Sequence, residues 1–322
     1  MLSKEKLETI KKAIDFKIIP ASKHKVSFYD ELTGGIHGSR RKQFVRSDAT
    51  IFNELFDELQ NNNSCSYITH ANAIVKQGFL PHTLSTIVKY FDCTKLMTTD
   101  SVDYIVQEVL AGQLLNYYGA NTCYNLALED SMMDDYQAVS VDFVAYGDEF
   151  YTFDELNFVL GNDIDRDITY QLQDLYEIDE LKGVKKEEID KLVEQYVYSY
   201  LIRKFVFRDG DFAHTNCGFL KHENGKLDFI NFDFEFCFDM LDFGEYLDEK
   251  EIKREIKLAN VMYPKVVKKF LKKSKDLYEG LLHFKGKLDC PLEEHAICLD
   301  KLIKNLEKLL SVVKIIEEEK TM

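Results

Sequence analysis

The feature that most constrains this chain is an Asn-Gly pair at residues 224 and 225, between two short apolar runs. Both residue types tolerate the positive φ of a type I′ turn, so the pair predicts a two-residue β-hairpin loop. The predicted strands are residues 217–220 and 227–232. Because the turn sets the register, we expect Asn216 to face Asp233 at the open end of the hairpin.

Side chains directly opposed in an antiparallel pair have Cβ atoms roughly 4.5–5.5 Å apart, so an amide oxygen and a carboxylate would meet at this end. Magnesium prefers oxygen ligands and keeps several waters or phosphate oxygens, so Asn216 and Asp233 are the predicted metal ligands. Asp211, five residues before Asn216, would lie on the loop entering the first strand. A carboxylate there can orient or deprotonate an attacking hydroxyl, which predicts a catalytic role. The structural alternative, an Asp-rich loop stabilised by its own hydrogen bonds, stays open.

Periodicity predicts the elements around this hairpin. Residues 85–91 are rich in β-branched and aromatic types and predict a strand, as do residues 139–145. An apolar stripe from Val102 to Leu114 predicts a helix that stops at Gly119. A second amphipathic helix is predicted from residue 187 to about 205, and it leads into the loop that carries Asp211.

The charge and the cysteine content limit the class of protein that this chain can be. The 322 residues carry a net charge of -15, and acidic side chains crowd residues 100–180, which argues against a nucleic-acid partner. A basic run at 253–275 predicts a solvated helical face or a docking patch for an acidic partner. The 7 cysteines never form a C-x-x-C pair, and no segment has the pattern of a signal peptide or a membrane span. We therefore expect a cytoplasmic protein with reduced thiols and no membrane contact.

The strings Asp211-Phe-Ala-His-Thr-Asn216-Cys-Gly-Phe-Leu and Phe232-Asp233-Phe234 resemble the catalytic and metal-binding motifs of HipA-like bacterial serine/threonine kinases, including the CtkA type. Ile87-Val88-Lys89 is similar to the nucleotide-binding lysine strand of that family. Glu108 is similar to the helix glutamate that pairs with this lysine.

The resemblance implies an α+β, bilobal protein-kinase-like fold with a small β-rich N-lobe at 61–146 and a larger, mainly helical C-lobe at 147–322, after an N-terminal extension at 1–60. It implies binding of ATP and Mg²⁺ and transfer of the γ-phosphoryl group to a Ser/Thr hydroxyl of a protein, the chain itself being one option. The strand at 139–145, with Phe143, would be the hinge that contacts adenine. The implied cofactor-binding residues are Lys89, Glu108, Phe143, Asn216 and Asp233.

Two departures from the family pattern keep alternatives open. Phe212 and Ala213 replace its usual Arg and His, and no Gly-rich phosphate loop precedes Lys89, since the glycine cluster at 34–38 lies much earlier. These departures motivate the alternative hypothesis that the chain is a pseudokinase that acts as a binding module. The motifs around Asp211 and residues 233–235 also resemble aminoglycoside and choline phosphotransferases, so a small hydroxylated substrate is the other alternative.

Overall fold

The chain folds into a mixture of helices and strands, which confirms the predicted class at that level. The computed structural model describes residues 2–20, 26–31, 42–47, 86–90, 100–122, 125–130, 135–141, 148–153, 156, 175–210, 212, 216–234, 236–239 and 248–321. Within these ranges only the backbone is described at residues 19–103, 125–126, 128–141, 239 and 320–321.

The helices are α1 (Lys4–Ile14), α2 (Asp100–Tyr118), α3 (Lys186–Ile202), α4 (Glu249–Met262), α5 (Pro264–Phe284) and α6 (Glu293–Thr321). The strands are β1 (Ile18–Pro20), β2 (Val26–Glu31), β3 (Lys42–Ser47), β4 (Thr86–Tyr90), β5 (Asn125–Asp130), β6 (Asp135–Val141), β7 (Glu149–Thr152), β8 (Cys217–Lys221) and β9 (Leu227–Asn231). Within the described residues, no helix is long and apolar enough to cross a membrane.

The strands form two sheets. One has six strands in the order β1-β5-β6-β4-β3-β2, and the other has three in the order β7-β8-β9. Strand β1 is parallel to β5, and the other neighbouring pairs are antiparallel. The larger sheet thus joins strands from residues 18–47 to strands from residues 86–141, while the lobe boundary predicted at residue 61 stays a prediction.

Helix α1 packs against α2 and α5. Ser3 caps its N-terminus by accepting a hydrogen bond from the Lys6 N–H, and Ile10 and Ile14 are buried on one face. A Cβ added at Gly280 of α5 would lie 2.7 Å from the Ile10 side chain, so this glycine permits the close approach of the two helices. The first helix of the chain is therefore part of the main core.

Helix α2 occupies the centre of that core and matches the predicted helix. Most of its side chains from Ile105 to Tyr118 are buried, and it ends at Gly119, whose φ of +72° is the left-handed conformation typical of a helix stop. The Tyr118 hydroxyl lies 2.9 Å from the Ser274 hydroxyl of α5, and its carbonyl accepts a hydrogen bond from the Tyr198 hydroxyl of α3. These contacts lock α2 between two other helices.

Helix α3 matches the second predicted helix and delivers the chain to the candidate site. It continues as one π-helical turn, Arg203–Phe207, and ends at Arg208, which has a left-handed φ of 50°. The change of hydrogen-bonding pattern at Arg203 widens the last turn, and such π turns are frequent at functional sites.

Candidate active site

The hairpin predicted from residues 224 and 225 is present as β8 and β9, but the predicted register is wrong by one residue. Cys217 pairs with Asn231 and Lys221 with Leu227. The loop has three residues, not two, because the His222 N–H donates to the Lys226 carbonyl at 2.9 Å. Within the loop only Gly225, at φ +79°, has a positive φ, whereas a type I′ turn requires two such residues.

The shifted register changes what meets at the open end of the hairpin, which we define as Asn216, Phe232 and Asp233. Asn216 lies opposite Phe232, whose N–H donates to the Asn216 carbonyl at 3.3 Å. Asp233 lies one residue beyond this pair and has a φ of 61°, in the left-handed region that non-glycine residues rarely adopt. The predicted direct opposition of Asn216 and Asp233 is therefore wrong.

A buried arginine joins the two sides of the open end instead. The Arg203 Nη1 donates to the carbonyls of Asn216 at 3.0 Å and Phe232 at 3.2 Å, and Nη2 donates to the Asp233 carbonyl at 2.9 Å. Its Nε donates to the Asp209 carboxylate at 2.6 Å, and Nη2 lies 2.5 Å from the same oxygen. Arg203 thus holds the backbone on both sides of the open end.

The Arg203 guanidinium is fully buried, at 0% exposure, and is nevertheless charged. Burial is the largest single effect and disfavours the charged form, but the charge of Asp209, its hydrogen bond and the neighbouring Cys237 and Cys217 together outweigh it, so the pKa of Arg203 is raised. The rings of Phe212 and Phe234 lie over the guanidinium carbon at 4.5 and 4.8 Å. Phe212, one of the departures from the family pattern, therefore covers a buried cation.

Glu108 of α2 reaches the same segment. Its Oε2 accepts a hydrogen bond of 2.7 Å from the Phe234 N–H, and the side chain is 3% exposed. Both polar groups of the Asp233–Phe234 peptide are therefore anchored, the Asp233 carbonyl by Arg203 and the Phe234 N–H by Glu108. The Lys89 backbone pairs with Ala138 in the larger sheet, but its side chain is outside the described residues. The Lys89–Glu108 pair stays a prediction.

Strand β9 is tied to the helices by Asn231. Its side-chain amide donates to the Asn121 carbonyl and to the Ser199 hydroxyl, both at 2.9 Å. Asn121 follows α2 and Ser199 belongs to α3, so a single buried amide sets the hairpin against both helices. This contact helps to place Glu108 within reach of Phe234.

Of the residues predicted for the site, Asn216 and Asp233 lie at the open end of the hairpin, and Glu108 accepts a hydrogen bond from the Phe234 N–H next to it. Asp211 and Phe143 lie outside the described residues, as does the glycine cluster at 34–38. Their predicted roles stay predictions.

Sequence reasoning missed Arg203. The inward stripe of α3, which includes Tyr196 and Tyr200, continues at the same spacing to Arg203 and Phe207. A charged residue on an apolar stripe, followed six residues later by Asp209, is the signal that could have identified it.

The open end has oxygen atoms that could ligate a hard cation. Asn216 and Asp233 offer an amide and a carboxylate oxygen, the ligand types that Mg²⁺ prefers. Asn216 is 5% exposed, and the Asp233 side chain is partly exposed, so one candidate metal ligand is buried in the core and the other reaches solvent. Among the described residues no group of three or more His, Cys, Asp or Glu side chains could hold a metal ion. A divalent ion here would therefore need further oxygens, which a nucleotide can supply.

Comparison with known proteins finds similarity to solved structures. No protein-family model matches the chain, and no curated protein sequence matches it. The chain is similar to the proinflammatory kinase CtkA of Helicobacter pylori, with 12% identity and a TM-score of 0.47 over 74% of this chain and 92% of that one. It is also similar to HipA of Shewanella oneidensis MR-1, solved with HipB and operator DNA, with 13% identity and a TM-score of 0.45 over 71% and 60% of the two chains. These two proteins are of the types named by the sequence resemblance.

Proposed function

We propose that the chain is a HipA-like kinase that depends on ATP and Mg²⁺ and phosphorylates a Ser or Thr hydroxyl of a protein. The observation that carries this proposal is that three residues predicted from the sequence, Asn216, Asp233 and Glu108, are joined by hydrogen bonds at or next to the open end of the hairpin. Arg203 bonds the carbonyls of Asn216 and Asp233, and Glu108 bonds the Phe234 N–H. The bilobal arrangement belongs to the same proposal, with a small β-rich lobe at 61–146 and a larger, mainly helical lobe at 147–322.

Each residue has a role that suits its chemistry. Asn216 and Asp233 would hold Mg²⁺, which when bound neutralises charge on the phosphates. Asp211 would orient the acceptor hydroxyl and accept its proton. Lys89 would pair with phosphate oxygens, and the backbone around Phe143 would contact adenine.

The roles of Asp233 and Asp211 are tested by incubating the protein with Mg²⁺ and γ-labelled ATP, with and without a generic protein acceptor. We expect label on protein for the wild type, and a loss of at least about 100-fold in Asp211→Asn, because removing a general base costs that much. Asp233→Ala should lose transfer at ordinary Mg²⁺ concentrations. Asp233→Ala labelling as strongly as the wild type would overturn the proposal.

The same assay separates the alternatives that the sequence left open. Transfer confined to hydroxylated small molecules would indicate the aminoglycoside- or choline-type activity instead. Mg²⁺-dependent nucleotide binding without any transfer would indicate a pseudokinase. Either outcome replaces protein phosphorylation as the assigned function.

A further inference from the structure

We propose that Arg203 is a positioning residue for the magnesium-binding end of the hairpin, and this inference rests on the proposed function. It would act by setting the backbone from which Asn216 and Asp233 present their ligand oxygens. Arg203 is fully buried and its contacts go to Asp209 and to backbone carbonyls, so it does not touch substrate itself.

The geometry of the guanidinium suits this role. Its five polar contacts use the planar fork of donors that only arginine has. Two of the contacted carbonyls, those of Asn216 and Asp233, belong to the predicted metal ligands, and they lie on opposite sides of the hairpin. A lysine is a compact point charge with three donors and cannot reproduce this spread of contacts.

The backbone of Asp233 needs such support. A non-glycine residue at positive φ persists only where its surroundings determine that conformation, and such residues cluster at functional sites. Here the Asp233 carbonyl is held by Arg203 and the next N–H by Glu108. The direction of the Asp233 side chain is therefore set before any ligand binds.

Asp209 and the two phenylalanine rings keep Arg203 in place. Asp209, whose side chain is 1% exposed, neutralises the guanidinium, and the rings of Phe212 and Phe234 flank it. A charge enclosed in this way has no alternative partner in water, so the fork remains aimed at the three carbonyls.

The test compares Mn²⁺ binding, measured by electron paramagnetic resonance in the presence of ADP, in the wild type and in Arg203→Lys. We expect Mn²⁺ affinity to fall about 10–100-fold, as it does when groups that orient metal ligands are replaced. The matched control is His222→Gln, which disrupts the other end of the same hairpin without touching Asn216, Phe232 or Asp233. It should lower the melting temperature and leave Mn²⁺ affinity unchanged.

Unchanged Mn²⁺ affinity in folded Arg203→Lys would overturn this inference alone, provided that the wild type binds Mn²⁺ and Asp233→Ala does not. A wild type that binds no Mn²⁺ with ADP would overturn the proposed function as well.

A second measurement needs no variant, so it can overturn the inference even if Arg203→Lys does not fold. If the open end is positioned in advance, hydrogen exchange at the Phe232 and Phe234 amides should be slow in the free protein and change by less than about twofold when Mg²⁺ and ADP are added. Fast exchange that slows by about tenfold or more on adding them would show that the ligand orders this segment, and would overturn the inference.

Discussion

The two ends of the β8–β9 hairpin are both held by buried charges, but in different ways. At the open end, one arginine satisfies three backbone carbonyls and one carboxylate. At the loop end, which we define as residues 222–226, His222 lies between two carboxylates, with Nδ1 2.8 Å from Asp148 and Nε2 2.9 Å from Asp228. The first arrangement sets backbone geometry, whereas the second joins side chains.

The difference has consequences for pH and for function. Arginine keeps its charge at any pH that a protein experiences, so Arg203 should hold the three carbonyls of the open end as a cation at neutral and alkaline pH. Histidine changes charge near neutrality, so the contacts of His222 at the loop end should depend on pH. The residue that holds the hairpin beside the proposed metal ligands thus keeps its charge, whereas the residue that holds the other end changes its charge with pH.

The largest effect is expected from Arg203→Met. It would leave the Asp209 carboxylate buried without its cation and remove the arginine's hydrogen bonds to three carbonyls, and breaking a buried ion pair in this way costs about 3–5 kcal/mol. Urea denaturation measures the loss in free energy of unfolding. The double variant with Asp209→Leu should recover part of it, since the uncompensated charge is then gone. A loss below about 1 kcal/mol would mean that the open end does not depend on Arg203.

A smaller loss is expected from His222→Gln. Glutamine removes the charge between Asp148 and Asp228, and hydrogen bonds to charged groups contribute about 1.5–3 kcal/mol. Lys226 and Gln195 still contact Asp228, which limits the effect. The same urea titration gives the value, and a loss as large as that of Arg203→Met would remove the contrast between the two ends.

The pH dependence sharpens the comparison. Hydrogen bonds to Asp228 and Asp148 raise the pKa of His222 despite its burial. A raised pKa means that the stabilisation is fully present below the unfolded-state pKa of about 6.5 and is lost as pH rises through the folded-state pKa. The difference in unfolding free energy between wild type and His222→Gln should therefore shrink at alkaline pH, while that for Arg203→Met stays constant.

His295 is the matched control for this titration. Burial lowers its pKa, and its Nε2 bonds the Ile14 carbonyl at 2.8 Å. Its contribution should be lost as pH falls rather than as it rises. If the contributions of His222 and His295 changed in the same direction with pH, our account of their environments would be wrong.

The smallest effect is expected from Lys226→Met. The Lys226 ammonium lies 2.9 Å from Asp228, but its side chain is 46% exposed, and such surface pairs contribute about 0–1 kcal/mol. Thermal unfolding at low and high salt measures the stability that Lys226→Met loses, and we expect this loss to stay within that range. A larger loss would indicate that Lys226, rather than His222, holds the loop end.

Local patterns predicted the elements well, because each of these patterns depends on neighbours in the chain. The stripe of α2 and its stop at Gly119 were predicted within two residues, as was the strand that became β4. The strand predicted at 139–145 begins earlier, at Asp135, and residues 142–147 are outside the described part of the chain.

The hairpin register shows where local reasoning stops. An Asn-Gly pair suits a type I′ turn, but it also suits a three-residue loop in which Gly225 alone is left-handed. The Asn224 side chain accepts a hydrogen bond from the Lys226 N–H at 2.9 Å, which is one contact that accompanies the longer loop. One residue of difference was enough to move Asp233 out of the ladder.

The sequence by itself determined where the chain reverses and which oxygen-bearing residues flank the two strands, because turn preference and strand pattern are local properties. Only the tertiary structure decided how those residues are held. Arg203 bonds carbonyls 13 and about 30 residues away, and Glu108 bonds an amide 126 residues away. Burial in a shared core creates these partnerships, and no spacing along the chain encodes them.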